Sequence, residues 1–119
     1  MKVLIVDDEA LIRRSLGRAF SARGHQVLEA ENGQIGLDTW KRENPDLVVL
    51  DVLMPGLTGP QVLESKPQET KAPVILISAF TGEYDGKKAK QMGASLFIPK
   101  PFQDIFEIVE RAECLLKLN

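Results

Sequence analysis

Apolar, strand-forming residues are concentrated in five short stretches of the chain. Three of them, residues 3–6, 47–50 and 74–77, are continuous apolar runs without polar alternation. Such runs are typical of strands that are covered on both faces in a parallel sheet. Shorter strands are predicted at 26–30 and 96–98. Polar side chains follow each of the three continuous runs, so the ends of these strands are candidate ligand sites.

Helical periodicity fills the intervals between the strands. Apolar residues recur at spacings of three and four in the first interval, as for Ile12, Leu16 and Ala19, and Ile35, Leu37 and Trp40 are the apolar positions of the second. Asp104 is a predicted N-cap for the last helix, and Pro67 ends a short third helix. Helices are predicted at 10–23, 34–43, 60–66, 85–92 and 105–116.

Strict alternation of strand and helix predicts an α/β fold. Right-handed crossovers place helices on both faces of a doubly wound, five-stranded parallel sheet, flavodoxin-like with strand order 2-1-3-4-5 and five helices. A chain of 119 residues fits one domain, residues 1–119. In this order strands 1 and 3 are neighbours, and the topological switch point lies beside them.

Composition excludes several classes of function. A net charge of -2 argues against direct nucleic-acid binding by this domain. The single cysteine, Cys114, excludes an internal disulfide, and with the single histidine, His25, it cannot build a Cys/His metal cluster. The first apolar run is too short and too soon followed by acids for a signal peptide or a membrane span. We therefore expect a cytoplasmic protein that makes no membrane contact.

Carboxylates follow two strands that the predicted order makes neighbours. Asp7 and Asp8 follow strand 1, and Asp51 ends the run of strand 3. Converging carboxylates repel one another unless protons or a cation neutralise them, and oxygen ligands open on one side favour Mg²⁺ or Mn²⁺ over Zn²⁺. One aspartate can then attack phosphorus and form an acyl phosphate.

Ser78 and Lys100 follow strands 4 and 5 and would reach the same crevice. A hydroxyl and an ammonium group there can hold the remaining oxygens of a phosphoryl group. Taken singly, an aspartate after a strand is usually a helix cap, and a lone serine or lysine is usually a solvated side chain. Their combination is what indicates phosphoryl chemistry.

The same residues carry a family resemblance. In chain order they are Asp7-Asp8-Glu9, Asp51 with Met54-Pro55 and Gly59, Ser78-Ala79, and Lys100-Pro101-Phe102. In this order the chain resembles the CheY-like receiver (REC) domains of two-component response regulators, from Lys2 to about Leu116. The resemblance implies a phosphoprotein of two-component signal transduction.

The resemblance also implies roles for the acidic residues. Asp51 would accept a phosphoryl group from a sensor histidine kinase or a histidine phosphotransfer protein. Asp8 and Asp51 would ligate Mg²⁺ directly, with the backbone carbonyl of Leu53 as a third ligand and Asp7 acting through water. Such a domain catalyses only its own Mg²⁺-dependent phosphorylation and dephosphorylation and is not otherwise an enzyme.

A conformational switch is implied as well. Ser78 would turn toward the acyl phosphate while Phe97 moves inward, which alters the face made by helix 4, strand 5 and helix 5. Phe97 lacks the hydroxyl often found at this position, although its ring keeps a packing role. A homodimer through that face would be expected in the phosphorylated form. Lys100-Pro101 is a candidate for a cis peptide bond.

Apolar side chains at two places in the chain bear on partner docking and on the rate at which the phosphoaspartate is hydrolysed. Leu11 lies on a side of the first helix that the core does not need, and with Ser15 it could form a docking face for a kinase or phosphotransfer protein. Leu53 and Phe80 are apolar where many receivers have polar side chains that position water. We therefore expect slow hydrolysis of the phosphoaspartate.

Three other functions share part of this pattern. An aspartyl-nucleophile phosphatase usually has a second acid two residues past the nucleophile, where this chain has Leu53. A flavodoxin-like cofactor carrier needs an anion-binding loop after strand 1, where the acids of this chain would repel phosphate. A phosphorylation-independent interaction module is the third alternative.

Overall fold

Strands and helices alternate along the computed structural model, which describes residues 1–79 and 86–117. The strands of these residues are Lys2–Val6 (β1), Gln26–Ala30 (β2), Leu47–Asp51 (β3), Val74–Ser78 (β4) and Leu96–Pro99 (β5). The helices are Ala10–Ala22 (α1), Gly33–Glu43 (α2), Gly59–Ser65 (α3), Gly86–Gln91 (α4) and Ile105–Lys117 (α5). Within these ranges, no helix has both the length and the apolar character that crossing a membrane requires.

All five strands are parallel and hydrogen-bonded in the order β2-β1-β3-β4-β5, which confirms the predicted order. Val6, the last residue of β1, pairs with Leu50, and Asp51 pairs with Ile77 of β4. The chain turns in opposite directions after β1 and β3, so the loops behind these two strands separate and leave a crevice. The register therefore brings the residues after Val6 close to Asp51.

Two apolar cores cover the sheet, one on each face. Alternate residues of a strand point to opposite faces, and in β3 Val48 joins the core under α2, α3 and α4, whereas Val49 joins the core under α1 and α5. Every residue of β3 is buried. Burial of each of its four apolar side chains stabilises the fold by about 1.5–3 kcal/mol, so β3 is a firm support for Asp51 at its end.

Gly59 sets the path of the loop that follows β3. A Cβ atom at this position would lie 2.5 Å from the carbonyl oxygen of Asp51, and the Gly59 amide donates to the carbonyl of Val52 at 2.9 Å. Thr58 and Gln61 then begin α3 with a reciprocal capping box. Because only glycine fits there, the loop after Asp51 turns back closely against the strand end.

Some predicted details of the helices differ from the structure. Ile35 is 39% exposed, whereas Leu37 and Trp40, the other two apolar positions named for α2, are buried. The inner face of α2 includes Gly36, Leu37 and Trp40, and Ile35 lies about 100° around the helix from Gly36, on the side away from Leu37. Trp40 is fully buried, and its indole N–H donates to Thr70 Oγ1 at 3.0 Å. The predicted start of the fourth helix, Asp85, lies outside the described residues.

Candidate functional site

Three carboxylates meet at the carboxyl end of β1 and β3. One ligand oxygen from each of Asp7, Asp8 and Asp51 lies within 4.8 Å of those of the other two. Asp7 is fully buried and Asp51 is 3% exposed, whereas Asp8 faces solvent. The structure therefore brings together the three acids that the sequence singled out, with the exposed Asp8 at the mouth of the crevice.

Lys100 reaches the same crevice from the residue after β5. Its Nζ lies 2.9 Å from Asp7 Oδ2 and 3.6 Å from Asp51 Oδ2. A third carboxylate oxygen, Glu9 Oε1, accepts a hydrogen bond from the same Nζ at 3.0 Å. The Lys100 side chain is only 7% exposed, so its ammonium group is held among acids and largely shielded from water.

Ser78 ends β4 next to these groups. It is completely buried, and it is one residue beyond Ile77, the register partner of Asp51. The backbone amide of Lys100 donates to the carbonyl of Ser78 at 2.8 Å. This bond ties the ends of β4 and β5 together and fixes the serine and the lysine on one side of Asp51.

The environment of Asp51 makes its charged form costly. Burial is the largest cause, and together with repulsion from Asp7 and Asp8 it raises the pKa of Asp51 from its usual 3.8 to about 7. Attraction to Lys100 opposes this shift but is smaller than the burial effect. Asp51 thus titrates near neutral pH unless a further cation joins the site.

Lys100 stays charged. Burial alone would lower the pKa of its ammonium group, but the hydrogen bonds to Asp7 and Glu9 and the attraction of Asp51 outweigh burial and raise the pKa above its usual 10.5. A permanent positive charge therefore lies beside the Asp51 carboxylate.

Two contacts of the acidic loop were missed by the sequence prediction. Arg13 Nη1 donates to the carbonyl of Asp7 at 2.7 Å, and its Nε lies 3.4 Å from Glu29 Oε1. The amide of Glu9 donates to Asp7 Oδ1 at 2.9 Å. The helical spacing of α1 predicts only that Arg13 lies on the polar side of the helix. It does not predict that the side chain reaches back to the loop after β1. The triplet of acids was visible, but only the fold shows that Glu9 meets Lys100.

The remaining predicted residues surround this centre. Leu53 follows Asp51 closely and is 53% exposed, and Leu11 on α1 is 76% exposed, with Ser15 half-buried one turn further. Phe97 is half-buried in β5, pairs with Leu76 and packs against the core under α2, α3 and α4. The other apolar residue of the predicted rim, Phe80, lies outside the described part of the chain.

The Lys100-Pro101 peptide bond is cis, as predicted.

The donor set suits a hard divalent cation. Three carboxylates supply oxygen ligands only, which matches the preference of Mg²⁺ and Mn²⁺. Because two of the acids are buried, the electrostatic repulsion between them is strong, and a bound cation would relieve this repulsion. The exposed Asp8 leaves one side open for a second ligand such as a phosphoryl oxygen.

Comparison with known proteins agrees with this geometry. The family profile described as response regulator receiver domain matches residues 3–113. The sporulation initiation phosphotransferase F of Bacillus subtilis is 40% identical over 120 residues, which cover 99% of this chain and 95% of that protein. The solved Francisella response regulator 1452 receiver domain superposes with a TM-score of 0.89 at 30% identity and covers 98% of this chain and 97% of that one.

Longer regulators are also similar to this chain. The "Probable transcriptional regulator ycf27" of Porphyridium aerugineum is 41% identical over 101 residues, which cover 85% of this chain. The matched part is 42% of that protein. The chain therefore spans about two fifths of the length of this curated relative.

Proposed function

The chain belongs to the response regulator receiver domain family, and we propose that it accepts a phosphoryl group on Asp51. Receiver domains are phosphoryl-accepting switches, and phosphoaspartate signalling is the general function of this family. The resemblance predicted from the sequence is thus confirmed. The assignment of roles to individual residues rests on the geometry of the crevice.

The position of Asp51 carries the proposal. It is the only one of the three site carboxylates that lies at the end of a fully buried strand, and the Lys100 ammonium group lies 3.6 Å from it. Such an anchored carboxylate is held in place for attack on a group that enters from solvent. Leu53 lies two residues beyond Asp51 in the loop that Gly59 holds close to the strand end, which supports its carbonyl as the proposed third ligand of a metal ion.

Asp51 acts as the nucleophile. One of its carboxylate oxygens forms a bond to phosphorus while the bond from phosphorus to the donor's oxygen or nitrogen breaks, and the donor leaves with that electron pair. Asp8, Asp51 and the Leu53 carbonyl would hold Mg²⁺, with Asp7 acting through water. When bound, Mg²⁺ neutralises charge on the carboxylates and the transferring phosphoryl group and favours the ionised form of Asp51.

Lys100 and Ser78 orient the phosphoryl group. The ammonium group of Lys100 is permanently charged and can bond one phosphoryl oxygen, and the Ser78 hydroxyl can bond another. Both side chains belong to strand ends that one backbone hydrogen bond ties together. Their fixed spacing favours a group of one size and geometry.

Ser78 also begins the switch that we propose. When its hydroxyl turns toward the phosphoryl group, the movement frees space next to β5, so the half-buried ring of Phe97 can move inward. This movement alters the surface made by α4, β5 and α5. A surface altered in this way would support a phosphorylation-dependent homodimer or contact with an output partner.

Partners follow from the phosphoryl chemistry. We propose a sensor histidine kinase or a histidine phosphotransfer protein as the donor, docking over Leu11 and Ser15 of α1. Residues 1–119 would act as one receiver domain in the cytoplasm, without direct contact to nucleic acid or membrane. Chemistry would be limited to the domain's own phosphorylation and dephosphorylation, with slow hydrolysis because Leu53 offers water no polar partner.

A mass measurement tests this function. The protein is incubated with acetyl phosphate and Mg²⁺, beside the Asp51→Asn variant and a sample with excess chelator. We expect one phosphoryl adduct on the intact wild-type protein and none in the other two samples. An adduct of equal yield on the variant would contradict the assignment of Asp51.

A further inference from the structure

Glu9 covers the solvent side of Lys100. Its carboxylate accepts from Lys100 Nζ at 3.0 Å, and its side chain is 58% exposed, whereas the lysine is 7% exposed. The side chains of the other two acids around this ammonium group, Asp7 and Asp51, are only 0% and 4% exposed. A phosphoryl donor that arrives from solvent therefore meets the charge of Glu9 before it reaches the lysine.

We propose that Glu9 is a specificity-determining residue that holds Lys100 and selects phosphoryl donors by their negative charge. The inference rests on the proposed function, because it concerns the rate at which Asp51 accepts its phosphoryl group. Glu9 competes with the oxygens of the donor for the same ammonium group. Glu9 repels a donor with more negative charge more strongly, so that donor binds the Lys100 ammonium group less readily.

The backbone fixes Glu9 in this place. Glu9 is the N-cap residue of α1, and its amide is bonded to Asp7 Oδ1 at 2.9 Å. No side-chain hydrogen bond caps the helix there, so the carboxylate does not serve the helix end. An exposed ion pair is worth little for stability, whereas a charge at the mouth of a crevice acts on every anion that enters.

The expected size of the effect follows from Coulomb's law. One unit charge about 6 Å away in a water-like dielectric changes a rate constant about threefold for each charge on the donor. Acetyl phosphate is a dianion near neutral pH, and phosphoramidate is a monoanion. Removal of the Glu9 charge should therefore accelerate phosphorylation about tenfold with acetyl phosphate and about threefold with phosphoramidate.

The test measures the second-order rate constant of phosphorylation with each donor by intact-protein mass at saturating Mg²⁺. Glu9→Gln keeps the shape and removes the charge. Glu9→Asp keeps the charge and should stay within about twofold of the wild type. Glu64→Gln removes an exposed charge from the far end of α3 and should change neither rate.

The ratio of the two rate constants decides between charge selection and a structural effect. We expect Glu9→Gln to raise the ratio of the acetyl phosphate rate to the phosphoramidate rate about threefold. An unchanged ratio, or acceleration by Glu9→Asp equal to that by Glu9→Gln, would overturn the proposal. If the wild-type protein formed no adduct with either donor, the proposed function itself would fail, which is a distinguishable result.

Discussion

Replacing Asp51 by asparagine should stabilise the metal-free protein. The substitution keeps the shape of the side chain and removes one of three crowded charges. Lys100 retains two carboxylate partners, Asp7 at 2.9 Å and Glu9 at 3.0 Å, so no buried cation is left unpaired. The variant therefore removes a repulsion at little cost in attraction.

The magnitude follows from the pKa of Asp51, which rises from 3.8 to about 7. This difference in pKa between the folded and the unfolded chain corresponds to about 4 kcal/mol. The crevice opens to solvent through Asp8, and screening reduces the effect, so we expect a gain of roughly 2 kcal/mol in the free energy of unfolding.

The pH dependence has a definite sign. Between pH 3.8 and about 7 the folded wild type binds more protons at Asp51 than the unfolded chain does, so this residue makes stability fall as pH rises. The gain in the free energy of unfolding from Asp51→Asn should be small near pH 3.8 and complete above about pH 7.

Urea denaturation in excess chelator at several pH values measures the difference, with Asp38→Asn as a control that removes an exposed charge from α2. Added Mg²⁺ should reverse the order, because a cation at a hundred times its dissociation constant stabilises the wild type by about 2.7 kcal/mol and the variant lacks one ligand. A variant no more stable than the wild type in chelator at pH 8 would refute the electrostatic account of this site.

Three further predictions concern the loop, the far side of the domain and the docking face. Gly59→Ala should lower the free energy of unfolding by about 1–3 kcal/mol, because its Cβ would lie 2.5 Å from the Asp51 carbonyl oxygen. Gly86→Ala, whose added Cβ would meet no atom of the described residues within 4 Å, should be neutral or stabilising in the same urea titration. The Glu113 carboxyl should titrate below its usual pKa of 4.5 by NMR, because His25 and then Arg23 favour its ionised form. The resulting stabilisation is present above pH 4.5 and is lost as pH falls through the lowered pKa. A Glu113 pKa at its usual value would contradict this prediction. Leu11→Asp should abolish phosphotransfer from a histidine-phosphorylated donor protein and leave acetyl phosphate labelling intact, and unchanged phosphotransfer would remove the proposed docking face.

The sheet was predictable because the apolar runs that favour strands locally are also the segments that the fold buries. The continuous apolar run before Asp51 is four residues long, which favours a strand covered on both faces over a buried helix, and alternation with helices allows few strand orders. The meeting of Asp7 with Asp51 then follows from topology alone. Ser78 and Lys100 were predictable for the same reason, since parallel strands end at one edge of the sheet.

Contacts made by side chains between distant segments were not predictable. Glu9 and Lys100 are 91 residues apart, and no local pattern distinguishes their bond from the solvation of two charged surface residues. The pairing of His25 with Glu113, at 2.8 Å across 88 residues, was hidden in the same way. The sequence pattern also did not separate Ile35, which is 39% exposed, from Leu37 and Trp40, which are buried.

Reductive trapping tests the central claim most directly. Borohydride reduces an acyl phosphate of aspartate to homoserine, and tandem mass spectrometry of the digested protein then identifies the residue. After phosphorylation with acetyl phosphate and Mg²⁺, we predict homoserine at position 51 and nowhere else. Homoserine at Asp7 or Asp8, or an adduct that resists reduction, would contradict the assignment of Asp51 as the phosphoryl acceptor.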